Sequence, residues 1–81
     1  MATTVTITGT GSPIPSAHRS GPGVLVQTSD VALQFDAGRG TTQRLASCEL
    51  WPTDLDAFFA THHHSDHLVG FADLLLTRWV M

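Results

Sequence analysis

Four side chains of the types that bind metal ions lie within six positions of one short segment. Residues 61–67 read THHHSDH, and the four side chains are His62, His64, Asp66 and His67. Because residues two apart in an extended chain point to the same side, His62 and His64 can reach one ion. Imidazole suits zinc, iron, nickel or copper, and an added carboxylate suits harder ions such as manganese. The spacing therefore predicts a metal-binding turn, in which His63 points away as a bystander or supporting group.

The stretches that flank this segment favour a built site over a random histidine-rich run. Residues 55–60 are apolar and predict a short buried strand, whereas residues 68–81 predict a helix. Asp66 and His67 lie where the strand gives way to the helix, so their direction changes and they could reach a second ion. A tag would lie at a terminus and rarely contains Ser-Asp, while a non-specific metal-binding tract stays open. His18 stands alone and is expected to be structural or exposed.

The remainder of the chain predicts strands first and helices afterwards. Residues 3–8 alternate threonine with apolar residues, and residues 24–28 and 31–35 form a β-rich pair around Ser29-Asp30, the size of a hairpin turn. Residues 9–23 are rich in Gly, Pro and Ser and predict a long loop, without the third glycine of a dinucleotide fingerprint. Residues 41–48 predict a helix. Strands in a meander with helices on one face form half of a two-layer unit, whose second sheet face needs a cover.

Several individual side chains carry expectations about packing. Asp36 ends the second β-rich run, where it could cap the next helix, bond the turn amides or support a ligand histidine. Trp51 is expected to pack in or near the core, and Cys48 to be at least partly buried on the same helix face as Leu45. Ser65 or Asp66 could cap the last helix. An apolar stripe at helical spacing predicts core positions at Leu68, Phe71, Leu75 and Trp79.

Length and composition restrict the function classes. The 81 residues suffice for one small domain at most, and a single cysteine excludes a disulfide within the chain, which fits a reducing, cytoplasmic location. Net charge is −3 and lysine is absent. The four arginines are spread along the sequence, at Arg19, Arg39, Arg44 and Arg78. Nucleic-acid binding by this segment is therefore expected to be weak. No signal peptide and no apolar run of membrane-spanning length are visible, so no membrane partner is expected.

Three motifs in order carry a resemblance to a known family. They are TGTGSP at residues 8–13, FDAGRGT at residues 35–41 and HHHSDH at residues 62–67. On these motifs the chain resembles the metallo-β-lactamase superfamily, and within it ribonuclease Z and its arylsulfatase and phosphodiesterase relatives. The resemblance covers essentially the whole chain but only the N-terminal part of a typical member. It implies an α/β fold, with residues 1–81 as the N-terminal segment of one metallo-hydrolase domain in a four-layer αβ/βα sandwich.

The resemblance also implies a dinuclear site and roles for its residues. His62 and His64 would bind the first divalent ion, and Asp66 and His67 the second, with zinc favoured over manganese, iron or nickel. Asp66 would orient or deprotonate the attacking water, and Asp36 would support the site. Family members add a later histidine, an aspartate and a final histidine, and no His or Asp follows Asp73 here. The C-terminal remainder of the domain is therefore an expected partner, and the chain by itself is expected to be inactive.

The main functional expectation is hydrolysis of small-molecule phosphate or sulfate esters by hydroxide generated at the two ions. Alternatives are tRNA 3′ processing, hydrolysis of a β-lactam or thioester, and an inactive fragment that binds metal or a partner. Residues 71–81 are apolar and lack a closing Gly, Asn or Pro, which indicates that the folded unit continues beyond Met81. The sequence does not decide whether the protein forms a homodimer.

Overall fold

A four-stranded sheet lies at the centre of the computed structural model, which describes residues 2–81. Its strands are β1 (Thr4–Gly9), β2 (Gly23–Gln27), β3 (Ala32–Phe35) and β4 (Ala57–Phe59), and they are neighbours in that order. The first three strands are antiparallel, whereas β4 is parallel to β3. The strands predicted from alternating and β-rich runs are thus confirmed, although β4 is shorter than residues 55–60.

The predicted hairpin between β2 and β3 is confirmed. Gln27 pairs with Ala32, and the Thr28 N–H donates to the Val31 carbonyl at 2.9 Å. The Thr28 hydroxyl also accepts bonds from the amides of Asp30 and Val31, at 3.2 and 3.1 Å. This side chain occupies amides that would otherwise be unpaired at the turn, so the register of β3 is fixed locally.

Two α-helices and two short 3₁₀ helices complete the fold. Helix α1 spans Thr41–Ser47 and helix α2 spans Phe71–Val80, with 3₁₀ helices at Pro52–Asp54 and Ser65–His67. The last helix begins later than predicted, after Gly70, and neither Ser65 nor Asp66 caps it. The reason is a close backbone contact: the Gly70 N–H donates to the Ala37 carbonyl at 2.8 Å, which fixes where α2 begins. None of the described helices is long and apolar enough to cross a membrane.

The core lies between the sheet and the helices. Leu25, Ala37 and Leu45 are fully buried, and Ala32, Leu55 and Leu74 join them. The opposite face of the sheet is apolar but uncovered, as the two-layer argument predicted. This open face consists of Val5, Ile7, Val24, Val26, Leu33, Phe35 and Phe59, of which Val5, Ile7 and Phe59 are 60%, 57% and 47% exposed.

Several packing predictions were wrong. The predicted stripe does not continue as core to its end, because Trp79 is 83% exposed and Leu75 54% exposed, while Leu74 is buried. Its first members do pack: Leu68 is half-buried, and the Phe71 ring contacts Phe58. Arg78 explains the rotation: its Nη1 donates to the carbonyls of Pro52 and Leu55, at 2.9 and 2.8 Å. Residues four apart share a helix face, so these bonds hold the Leu74 side of α2 against the 3₁₀ turn at Pro52–Asp54.

Cys48 and Trp51 are also exposed, contrary to prediction. Cys48 follows the last residue of α1, where the chain turns away through Glu49 in the left-handed region (φ 59°). Trp51 precedes the 3₁₀ turn, where its amide donates to the Asp54 carboxylate at 2.9 Å and its ring stays in solvent. The predicted strand at β4 is likewise only half-buried, because Phe59 belongs to the open face.

Candidate metal centre

The candidate site forms at the edge where β3 and β4 end. These strands are parallel, so the residues that follow them, Asp36 and Thr61, emerge side by side. The Asp36 amide donates to the Phe59 carbonyl at 2.8 Å, and the Ala37 amide donates to the His67 carbonyl at 2.8 Å. The chain between β4 and α2 is thereby folded back over the end of β3. The histidine segment lies in this turn, as its sequence context predicted.

Three imidazole rings lie next to one another in this turn. The ring centroids of His62 and His64 are 4.0 Å apart, and those of His62 and His67 are 5.2 Å apart. The structure therefore brings together three of the four predicted ligands. His63 makes no such ring contact among the described residues.

Asp36 is the centre of the hydrogen bonding at this edge. Its Oδ1 accepts from the Thr61 amide at 2.7 Å, and its Oδ2 accepts from the Thr61 hydroxyl at 2.5 Å and contacts His67 Nδ1 at 2.9 Å. Asp36 adopts a left-handed backbone conformation (φ 64°), which Asp tolerates better than most residues. The helix-cap role considered for Asp36 is wrong, because α1 begins at Gly40 without a side-chain cap and both carboxylate oxygens face Thr61 and His67.

The environment of Asp36 decides which nitrogen of His67 is free. Partial burial alone raises the pKa of Asp36, but the hydrogen bonds from Thr61 and the contact with His67 outweigh it. The pKa therefore lies below its ordinary value of 3.8, and the carboxylate is ionised at neutral pH. An ionised carboxylate only accepts hydrogen bonds, so His67 Nδ1 must donate. In the neutral ring, Nε2 then carries the lone pair that a metal ligand needs.

Asp66, the fourth predicted ligand, lies on the free side of His67. Its Oδ2 is 3.7 Å from His67 Nε2, and its side chain is 14% exposed. A carboxylate and an imidazole lone pair are thus close enough to face the same small space. This arrangement suits an ion with mixed oxygen and nitrogen ligands.

The donor set fits a divalent metal in chemistry, but it is not assembled as a finished site. Among residues 2–81, no three His, Cys, Asp or Glu side chains are grouped so as to hold an ion. At His62, Nδ1 accepts from the His64 amide at 3.1 Å. A neutral ring that accepts at Nδ1 is protonated at Nε2, so His62 must change tautomer before Nε2 can bind an ion. The ligand assignment itself stays a prediction.

Two features of this region were not predicted from the sequence. Thr61 was not singled out, although its position directly after a strand and before the histidines was a usable signal. One polar cavity of about 390 Å³ is lined by serines of the long loop and by three arginines, of which one comes from that loop and two lie about twenty positions later. These are Arg19, Arg39 and Arg44. Arg44 also donates to the Ser20 hydroxyl at 2.9 Å. Three of the four arginines described as scattered in the sequence are therefore grouped in the structure, whereas Arg78 lies apart on α2.

Comparison with known proteins places this geometry in a family. The model of the family described as "Anti-Pycsar protein Apyc1" matches residues 3–80. A ribonuclease Z from Mycobacterium sp. (strain KMS) is 47% identical over 76 residues, which cover 94% of this chain. The chain spans only 27% of the length of that relative.

Solved structures show the same similarity. The short form of human tRNase Z superposes with a TM-score of 0.87 at 34% identity, over 95% of this chain and 30% of that one. The metallo-β-lactamase fold protein YhfI from Bacillus subtilis superposes with a TM-score of 0.88 at 28% identity, over 96% of this chain and 31% of that one. The structural match thus extends over nearly every described residue.

Proposed function

Because the chain belongs to the family described as anti-Pycsar protein Apyc1 and has the N-terminal part of the metallo-β-lactamase fold, we propose that it contributes the first half of a hydrolase metal centre. The predicted resemblance to this superfamily and to ribonuclease Z is confirmed. The proposed reaction is metal-dependent hydrolysis of a phosphate or sulfate ester, as in a phosphodiesterase. The rest of the domain completes the site.

The proposal assigns a role to each side chain in the turn. His62 and His64 hold the first divalent ion, and Asp66 and His67 hold the second. Two ions, with zinc favoured, would supply Lewis acidity that lowers the pKa of water towards ~7 and offsets charge on the ester oxygens. Asp66 orients the attacking water or accepts its proton, while Asp36 holds His67 and Thr61 holds Asp36.

One observation supports the proposal more strongly than any other. The 2.9 Å contact between Asp36 Oδ2 and His67 Nδ1 is the carboxylate–imidazole pair that orients metal-binding histidines. A histidine that served only packing would not need an ionised carboxylate that is itself held by two bonds from Thr61. The pair fixes the tautomer and direction of His67 before any ion arrives.

The test uses the complete protein that carries this segment. His64→Ala is compared with His63→Ala, which removes an adjacent ring that lies outside the proposed ligand set. We expect His64→Ala to lose most of its bound metal and to hydrolyse bis(p-nitrophenyl) phosphate more than about 100-fold more slowly, whereas His63→Ala stays near wild type. Metal content is measured by elemental mass spectrometry of the purified protein. Retention of both metal and rate by His64→Ala would show that the site is assigned wrongly.

A second candidate is tRNA 3′ processing. The arginine cavity supports it, because three guanidinium groups without a carboxylate partner among the described residues suit a phosphate backbone. The 47% identity to a ribonuclease Z also supports it. Arg39→Ala separates the two candidates: it should weaken cleavage of a 3′-extended tRNA precursor and leave hydrolysis of the small diester unchanged. If Arg39→Ala and wild type cleave the tRNA precursor at equal rates, the result would favour hydrolysis of small esters as the function.

A further inference from the structure

Gln34 is a buried polar residue in the centre of the sheet. It lies in β3 with no exposed surface, two residues before Asp36. A glutamine amide seldom occupies such a position, because its polar atoms must find partners away from water. Its Nε2 has two: it donates to the Thr8 hydroxyl at 3.2 Å and to the Asp36 carbonyl at 2.8 Å.

The orientation of this amide follows from its partners. A backbone carbonyl only accepts hydrogen bonds, so the amide must present its nitrogen to Asp36, and both of its hydrogens are then used. Oε1 on the other side has no partner among the described residues. The amide therefore satisfies the Asp36 carbonyl at the expense of its own oxygen, which is unusual for a side chain whose role is only to fill space.

Gly23 provides the space for this arrangement. A Cβ at Gly23 would lie 2.4 Å from the Thr8 hydroxyl, 2.9 Å from Gln34 Nε2 and 3.3 Å from the Asp36 carbonyl oxygen. The three polar groups thus converge on the backbone of β2, where any side chain would displace them. Residues of two other strands, Thr8 in β1 and Gly23 in β2, thus accommodate the Gln34 amide.

The contact acts on the residue that holds His67. Asp36 has φ 64°, and a bond to its carbonyl restrains the peptide unit that sets the direction of its side chain. The carboxylate in turn contacts His67 Nδ1. A continuous series of hydrogen bonds therefore runs from Thr8 in β1, through Gln34, to the backbone and then the side chain of Asp36, and ends at the His67 ring.

We propose that Gln34 is a positioning residue, which holds the Asp36 backbone so that its carboxylate fixes the direction and tautomer of His67. The inference rests on the proposed function only in treating His67 as a metal ligand. Gln34 does not touch the ion or substrate. Its effect passes through Asp36 alone.

The test compares Gln34→Met with Thr8→Val. The first variant keeps the length of the side chain but removes the bond to Asp36, and the second removes the other bond of the same amide and leaves the Asp36 bond intact. Long-range ¹H–¹⁵N correlation spectra of the metal-free complete protein report the His67 tautomer, and urea denaturation reports stability. We expect both variants to be less stable, but only Gln34→Met to mix the tautomers of His67. Zinc affinity of the complete protein should fall about 10-fold or more in Gln34→Met alone.

The outcomes separate positioning from packing. If Gln34→Met keeps the wild-type tautomer while losing stability, Gln34 is only a core residue and the proposal is overturned. A second variant, Gln34→Glu, keeps the shape of the side chain but replaces the donating Nε2 with an oxygen that only accepts. If neither Gln34→Met nor Gln34→Glu folds, Gln34 is required for folding itself, and the positioning role is also overturned. A shifted tautomer in a protein that binds no zinc even as wild type would uphold the positioning of His67 and refute the metal site instead.

Discussion

Asp36→Asn tests the centre of the site by changing one atom. Asn keeps the shape of Asp and tolerates the left-handed backbone of this position (φ 64°). Its Oδ1 can still accept from the Thr61 amide, now 2.7 Å away. Its Nδ2 would replace Oδ2 and can donate to the Thr61 hydroxyl, because a hydroxyl also accepts. Only His67 Nδ1 then faces a donor instead of an acceptor.

The expected magnitude follows from this one mismatch. To avoid two opposed donors, His67 must accept at Nδ1 and carry its proton on Nε2, the nitrogen proposed to bind metal. Loss of such an orienting partner typically lowers metal affinity about 10- to 100-fold, or roughly 1.4 to 2.7 kcal/mol. Folding stability should change less, by about 1 kcal/mol, because the two bonds with Thr61 are retained.

The assay measures zinc affinity by isothermal titration calorimetry in the complete protein, with Asp30→Asn as control. Asp30 lies in the exposed β2–β3 turn, so its substitution by Asn removes the same charge far from the site. The spectra described for Gln34 would show the changed tautomer directly. Equal zinc affinities for Asp36→Asn, Asp30→Asn and wild type would refute the idea that Asp36 orients a ligand.

Two other predictions concern stability. Gly70→Ala would place a Cβ 2.1 Å from the Gly38 carbonyl oxygen, which is backbone and cannot rotate away, so we expect a loss of about 3 kcal/mol in urea denaturation. In Gly40→Ala the Cβ would meet side chains and no backbone, with Ser20 Oγ at 3.0 Å and Gln43 Oε1 at 3.7 Å, so we expect a loss of about 1 to 2 kcal/mol from the left-handed backbone alone. Equal losses in the two variants would contradict the contact argument. Because the folded pKa of Asp36 is lowered, its stabilisation is fully present above the unfolded pKa and is lost as pH falls through the folded pKa, below 3.8. Denaturation at acidic pH should therefore show a weaker pH dependence for Asp36→Asn than for wild type, and parallel curves would show that Asp36 is not the group responsible.

The sequence predicted the parts of this molecule that depend on local pattern. Alternation identified β1, a two-residue turn identified the hairpin, and the spacing of the histidines identified the turn at His62 and His64. These features depend on neighbours within a few residues, where side-chain direction follows from the backbone period. The similarity to the N-terminal part of the metallo-β-lactamase fold also followed from its motifs.

The predictions that were wrong, and the partners that were not predicted, involve contacts between residues distant in the sequence. The rotation of α2 depends on bonds from Arg78 to carbonyls more than twenty positions earlier, which no periodicity in residues 71–80 contains. The partners of Asp36 lie 25 and 31 positions further along the chain. Helical spacing at Leu75 and Trp79 correctly predicted a helix, but it could not show which side of the helix meets the sheet.

Hydrogen bonds anchor both ends of the long loop and leave its middle exposed. The Gly11 amide donates to the Ser20 carbonyl at 2.8 Å, and Gly21 is bonded to Arg39 beside the backbone of Gly38. Residues 12–19, which are all exposed, project beyond this clasp. Insertions and deletions there would alter the rim of the site without moving the turn at Asp36. Descendants of one ancestral scaffold could thus acquire different substrate preferences by exchanging this tip, while the proposed metal centre is inherited unchanged.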